Sequence, residues 1–299
     1  MSVATSPCEA AAVPLDRGAG SVVPLRRPAV HGEAALSLRH LDGATRPADL
    51  YQRDPLSLRL PRPARGDILE ACLITTSGGI VGGDRLDIAV TAGQGARARV
   101  YPQAAEKVYR STGADSRIDV ALTAEAGCWL EWLPQETILF DGARLRRRTT
   151  LDLAAGSRVL AGEFLVFGRR ASGEQLARGL IHDAWRVSRD GTLVWADALH
   201  MDGDLAAPLT SPACLGGATA FASMIYAADD AASHLPALRD LLPAEAAEAQ
   251  HALTAVNGLV VGRFIGEARA VRQSFGGFWA AARAALAGLP PYLPRLWQL

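Results

Sequence analysis

Apolar and polar residues alternate along much of the chain. Leu86, Ile88 and Val90 are interleaved with Asp87, Ala89 and Thr91, and Leu36 and Leu38 with Ser37 and Arg39. A period of two sends successive side chains to opposite faces, so such runs bury one face and wet the other. The same alternation, with β-branched and aromatic enrichment, predicts strands over 35–41, 68–76, 85–92, 117–124, 150–153, 158–169, 180–187, 193–196 and 259–266. Asp190-Gly191 predicts a hairpin turn between two of them.

Two of these runs are copies. Arg85-Leu86-Asp87-Ile88-Ala89-Val90-Thr91-Ala92 returns 32 residues later as Arg117-Ile118-Asp119-Val120-Ala121-Leu122-Thr123-Ala124, and the same offset relates Gly95 to Gly127, Pro102 to Pro134 and Gln103 to Gln135. A weaker third copy starts at Thr150-Leu151-Asp152-Leu153, passes Gly156 and continues over 158–163. A period near 32 with about two short strands per unit predicts stacked β units, each covering its neighbour's apolar face. Residues 1–30 have no period and predict a mobile arm, which leaves 31–299 as a single β domain. In the C-terminal third, Pro243 and the Ala/Glu-rich run 244–253 predict a helix stopped by Gly258. Residues 267–287 predict a second helix despite Gly276-Gly277, and Pro290, Pro291 and Pro294 an extended tail. The expected fold class is therefore mainly β, a body of stacked strands with two α-helices in the C-terminal third.

The glycine stretch between the strands at 68–76 and 85–92 changes the picture least where it first invites attention. Gly78, Gly79, Gly82 and Gly83 form a loop of the kind that cradles phosphate, but a P-loop needs Lys and Ser/Thr after its last glycine, and here Asp84 follows. A dinucleotide fingerprint must open a helix, whereas this loop opens a strand. The stretch reads instead as a tight turn between sheet strands.

Hydrophobic residues make up 49% and charged residues 21% of the 299, which describes a globular chain. Lys+Arg equals Asp+Glu, so no excess positive charge speaks for nucleic acid. Lys107 is the single lysine, which confines any amine chemistry to that position. Cys8, Cys72, Cys128 and Cys214 are widely spaced, without a zinc or disulfide framework, and read as reduced thiols of a cytoplasmic protein. No signal peptide and no spanning segment is expected.

Polar residues gather where the repeat units turn: Gln103, Glu106, Lys107, Tyr109 and Arg110 in one unit, Gln135, Glu136, Asp141 and Arg144 in the next, Glu163 in the third. Stacking brings equivalent turns to one side. Carboxylates gathered there suit general acid–base work or oxygen ligation of a cation, and equally suit ion pairs with Arg110, Arg144 and the arginines at 146–148. The six histidines show no His-x-His or His-x-x-x-His spacing, although His200-Met201-Asp202 is a conceivable metal contact. No Gly-x-Ser-x-Gly elbow is present. Trp129, Trp132, Trp185 and Trp195 lie in strands and read as core.

Three stretches carry a resemblance. Thr76-Ser77-Gly78-Gly79-Ile80-Val81-Gly82-Gly83-Asp84, then Gln103-Ala104-Ala105-Glu106-Lys107-Val108-Tyr109-Arg110-Ser111, then Leu130-Glu131-Trp132-Leu133-Pro134-Gln135-Glu136-Thr137-Ile138-Leu139-Phe140 resemble the signature motifs of the urease accessory protein UreD (UreH) family. Gly162-Glu163-Phe164 and the ending Pro294-Arg295-Leu296-Trp297 extend the likeness, which covers roughly 32–297. Tyr101-Pro102 departs from the polar Thr-Thr of the family pattern. The resemblance implies a right-handed β-helical fold and a non-enzymatic scaffold that docks on apo-urease with the accessory proteins UreF and UreG, the latter a GTPase. It implies help in nickel delivery and metallocentre assembly, with nickel in transit and no permanently bound cofactor. It also implies a nickel route through the β body, beside which Asp84, Glu136, Asp141 and Glu163 would stand. The alternative from another class is a stacked-β hydrolase or lyase acting on carbohydrate through the same acidic cluster. A nucleotide-binding reading is the weakest, for want of the phosphate lysine.

Overall fold

A computed structural model describes residues 28–169, 172–244 and 248–297. Most of the arm predicted over 1–30 therefore lies outside the described residues. The alternating runs become two sheets. The first holds β1 (His31–Leu41), β2 (Ala44–Arg53), β5 (Arg85–Ala92), β8 (Ser116–Ala124), β11 (Arg144–Leu153), β13 (Arg178–Arg189) and β14 (Thr192–Asp204), in the order β14-β13-β11-β8-β5-β1-β2. The second holds β3 (Leu56–Arg59), β4 (Leu69–Thr75), β6 (Arg97–Pro102), β9 (Trp129–Trp132), β12 (Arg158–Phe167), β15 (Ala220–Ala227), β16 (Ala249–Val256) and β17 (Leu259–Gly266), in the order β16-β17-β15-β12-β9-β6-β4-β3. Through the middle of the molecule the chain passes from one sheet to the other and back, and each pass adds a parallel strand to both. The result is a mainly β, solenoid-like stack.

The sequence repeat is the sheet register. Arg85 lies beside Arg117, Leu86 beside Ile118 and Asp87 beside Asp119 across β5 and β8. Gly95, Gly127 and Gly156 form a column of turns at φ of 68°, 68° and 75°, the left-handed region that glycine enters without a Cβ clash. The amide of Gly95 donates to Ala126 and that of Gly127 to Gly156. In the third unit the register is shorter: Leu122 faces Leu151 and Trp129 faces Arg158, 29 residues apart rather than 32. The acidic turns are also more regular than expected. Glu106 and Glu136 open two short parallel strands, β7 (Glu106–Val108) and β10 (Glu136–Leu139), and β10 continues the ladder to β12.

The expectation of two helices in the C-terminal third is corrected in part. The second is observed as α3 (Ala268–Ala287), capped by the Glu267 carboxylate, which accepts from the Ala270 amide, and closed by Gly288 at φ 62°. Gly276, uncomfortable as a helix former, is needed there: a Cβ would lie 2.8 Å from the Trp297 ring. The predicted helix over 244–253 is not formed. Residues 245–247 lie outside the described residues, and from Ala249 the chain is strand β16, paired with β17. Asn257 at φ 47° and Gly258 at φ 77° make the tight turn joining the two strands, so Gly258 closes a hairpin rather than stopping a helix. Sheet pairing here overrides the helix propensity of alanine and glutamate. The other helices among the described residues are short: α1 (Ala206–Thr210) and α2 (Leu235–Asp240).

Two cores result. One lies between the sheets and includes Leu36, Leu86, Val90, Val120, Leu151, Val159, Leu165 and Trp185. The other lies between the second sheet and α3 and includes Leu160, Phe164, Phe264, Phe275, Trp279 and Trp297. The tail thus packs into the body through Trp297 instead of standing free.

Candidate functional site

The second motif of the chain and the third meet at one end of the space between the sheets. Leu86 and Ile118 line that space from the first sheet, and the next residue in the same row is Arg147, followed by Asp183. A charged pair thus continues an apolar row. The Arg147 guanidinium donates to both Asp183 oxygens at 2.8 and 2.7 Å and to the Thr137 hydroxyl at 2.9 Å, and it pairs with Glu163 at 2.7 Å. Glu163 arrives from β12 and also accepts from the Thr149 hydroxyl at 3.0 Å and the Trp132 indole at 3.4 Å. All three charged side chains are buried. One arginine facing two carboxylates leaves one negative charge in excess. Burial raises the Glu163 carboxyl to about 7; Arg147 opposes that rise and Asp183 adds to it.

A cavity of about 50 Å³ adjoins this cluster, lined among others by Glu106, Glu136, Glu163, Arg147, Trp132 and Gln135. That is space for a few waters or an ion, since one water needs roughly 10–15 Å³ by this measure. Glu106 accepts from the Thr75 hydroxyl at 2.7 Å and its own strand's Lys107 amide at 3.2 Å, so it takes neutral donors rather than a guanidinium. Burial raises its pKa, against those two bonds and the Lys107 charge. Glu136 is held by Arg272 of α3, which also donates to the Gln135 side chain at 3.0 Å and to the Trp297 carbonyl at 2.7 Å. The Trp297 indole donates to the Pro134 carbonyl at 2.8 Å, and Gln135 donates to Leu296 at 3.1 Å. The Pro134-Gln135-Glu136 motif is thus the seat on which α3 and the tail close.

Of the four carboxylates singled out in the sequence, Glu136 and Glu163 line the cavity. Asp84 and Asp141 are absent from its lining. Asp84 is buried in the glycine turn and accepts from the Val30 amide at 2.8 Å and the Val81 amide at 3.0 Å. Asp141 accepts from the Ala177 and Arg178 amides at 3.0 and 3.1 Å and pairs with Arg110 at 3.0 Å. Burial pushes its pKa up, but those two amides and the arginine charges bring it below the usual carboxylate range. The glycine turn fits the short strand β7: a Cβ on Gly79 would meet the Tyr109 ring at 2.5 Å, and one on Gly82 the Ser111 hydroxyl at 2.0 Å. The Tyr109 hydroxyl donates to the Gly78 carbonyl at 2.9 Å, and the Lys107 carbonyl accepts from Ile80 at 2.8 Å. Gly83, at φ 96°, completes the turn. Gln103 donates its amide to Leu73 at 2.7 Å, so Pro102 is accommodated at the end of β6 without loss of that neighbouring ladder bond.

Glu106 stood outside the expected metal set; Arg147 was expected to pair with the acidic cluster, as it does with Glu163, but its second partner Asp183 was not foreseen, nor was Arg272 as the partner of Glu136. The strand β7 hidden in the predicted turn was the signal for the first. Asp183 and Arg272 lie in runs whose register could not be read from the repeat. Buried Cys72 and Cys128 are both pushed up to about 11 by burial, so neither supplies a ready thiolate. A further group that could hold a cation, His31, Glu33 and Asp87, lies outside this cavity on the first sheet, where Arg53 and Arg85 already pair with the two carboxylates.

Fold and site define a two-sheet stacked-β protein with an acidic cavity locked by its C-terminal helix. The chain belongs to the UreD family of urease accessory proteins: the family model matches residues 30–298. It is 47% identical over 274 residues to the urease accessory protein UreD of Magnetococcus marinus, covering 90% of this chain and 94% of that one. Its identity to UreD of Azorhizobium caulinodans is 41% over 275 residues, covering 92% and 98%. To UreD of a Methylobacterium species it is 45% over 262 residues, covering 86% and 90%. Among the described residues no helix is long and apolar enough to cross a membrane.

Proposed function

We propose that this protein is a non-enzymatic scaffold for urease maturation that docks on apo-urease together with UreF and UreG, and that its inter-sheet cavity handles nickel on the way to the metallocentre. The observation that carries the reading is a cavity lined by Glu106, Glu136 and Glu163 in a chain that belongs to a urease accessory family. Carboxylate oxygens hold Ni²⁺ loosely compared with imidazole or thiolate, which suits an ion that must be passed on. Glu106 is the first contact we assign, because among the described residues no guanidinium has to leave it. Glu163 and Glu136 would exchange Arg147 and Arg272 for the ion, and a Glu163 carboxyl raised to about 7 would lose its proton to water at little cost when a cation displaces it.

The test is a pull-down from cells expressing the urease genes, with nickel content and activity of the urease measured alongside. Glu106→Gln and Glu163→Gln are expected to leave complex formation intact and lower nickel loading. Full loading with an intact complex would sink the nickel route. Failure of the unaltered chain to co-purify with urease subunits would sink the scaffold.

A further inference from the structure

The hairpin formed by β13 and β14 places two histidines opposite each other. His182 pairs directly with His200 across the ladder. The turn at Asp190-Gly191 would by itself bring His182 opposite Leu199, since Arg189 faces Thr192 and Ser188 faces Leu193. A one-residue bulge between Val187 and Ser188 shifts the register and delivers His200 instead. The two Nδ1 atoms lie 3.3 Å apart, with the rings edge to face at 74°. Metal–imidazole bonds are about 2.0–2.1 Å, so two nitrogens on one ion stand roughly 3.0 Å apart at a right angle and about 3.4 Å apart at the tetrahedral angle. The observed spacing falls inside that window.

We propose that His182 and His200 form a two-imidazole chelate for a borderline divalent cation, of the class of Cu²⁺, Ni²⁺ and Zn²⁺, on the outer face of the first sheet. Imidazole favours those ions over Mg²⁺ or Ca²⁺. The pair is half-buried on the β13 side and exposed on the β14 side, so the protein supplies two ligands and leaves the remaining positions to water or to a donor from another molecule. The nearest cation on the neighbouring strand, Arg146, is occupied by Asp115 at 2.6 Å, and Arg144 by the same carboxylate at 2.7 Å. The site is separate from the inter-sheet cavity and stands whether or not that cavity carries nickel.

The full chain is titrated with Ni²⁺, and separately with Cu²⁺ and Zn²⁺, at pH 7.5 by calorimetry. Histidine ring resonances are followed by NMR during the Zn²⁺ titration. His182→Ala and His200→Ala are each expected to weaken one class of site by more than about tenfold, and the double variant to lose one equivalent, with the circular dichroism spectrum unchanged. Glu106→Gln and Glu163→Gln should leave that equivalent in place, and Zn²⁺ should shift the His182 and His200 rings first. Unchanged stoichiometry and affinity in the double variant, or ring shifts confined to His31, would overturn the proposal and leave a hydrogen-bonded histidine pair only.

Discussion

Beneath α3, Arg99 and Arg283 meet Asp67, Glu70 and Glu131; between the sheets, Arg147 alone meets Glu163 and Asp183. Each network carries one carboxylate more than it has guanidinium groups, and each is buried, but the excess is handled differently. Under the helix, Glu70, Arg99 and Glu131 stand side by side on three parallel strands, charges alternating along the row. Extra donors then complete the set: the Tyr101 hydroxyl to Glu70 at 2.9 Å, and the Trp129 and Trp279 indoles to Glu131 at 2.9 and 3.1 Å. Between the sheets, Glu163 shares its one guanidinium with Asp183, takes the Thr149 hydroxyl at 3.0 Å and only a long 3.4 Å bond from the Trp132 indole, and has a cavity at its side; burial raises its carboxyl to about 7. The first network locks a helix; the second keeps a group able to exchange partners.

Breaking the closed network should have the largest effect. Arg283→Met leaves Asp67 and Glu131 buried without their shared guanidinium, and the expected loss is about 3–5 kcal/mol, read by urea unfolding. A loss below about 1 kcal/mol would show that the two networks are equally tolerant. The open network is tested through pH. The folded pKa of Glu163 lies above its unfolded value of about 4.5, so the native state retains a proton that the unfolded chain has released. The contribution to stability is present below about pH 4.5, declines as pH rises toward 7, and is lost above that. Glu163→Gln does not titrate, so its stability relative to wild type should rise between pH 5 and 8, by on the order of 1–3 kcal/mol. A difference that is flat with pH would mean the carboxylate is ionised throughout. Gly276→Ala tests the lid: its Cβ would press on Trp297 and Leu293, with an expected cost of about 1–3 kcal/mol and faster hydrogen exchange at the Trp297 indole. Arg110→Ala sets the floor, because that side chain is 71% exposed and its pair with Asp141 should contribute less than about 1 kcal/mol.

The stack itself was legible, because a repeated pattern of apolar positions is a direct imprint of register; the 32-residue repeat alone puts Arg85 beside Arg117. The site was legible only in part. Glu131 and Glu163 are 32 residues apart and look like equivalents, yet the register from β9 to β12 is 29. That odd difference of three places them on opposite faces of the sheet, one toward α3 and one toward the first sheet. The neighbour of Glu131 in the ladder is Leu160, which faces α3 as expected. The missed histidine pair has the same origin, since a bulge has no signature in residue spacing. The absent helix over 244–253 shows the opposite weakness: a strong local propensity was present, and a hairpin partner overrode it.

The parallel stack of the first sheet ends on both sides in an antiparallel hairpin, β1–β2 and β13–β14, and each hairpin contains a register shift. A run of parallel strands has no inherent length and offers a template at either end. Here the end strands are reversed and kinked, which blunts them against further pairing. Within the first sheet each strand between these ends pairs only with its neighbours, so the ladder itself sets no limit on their number. The size of the body is therefore set by the number of units encoded, and the two terminal hairpins serve as its brackets.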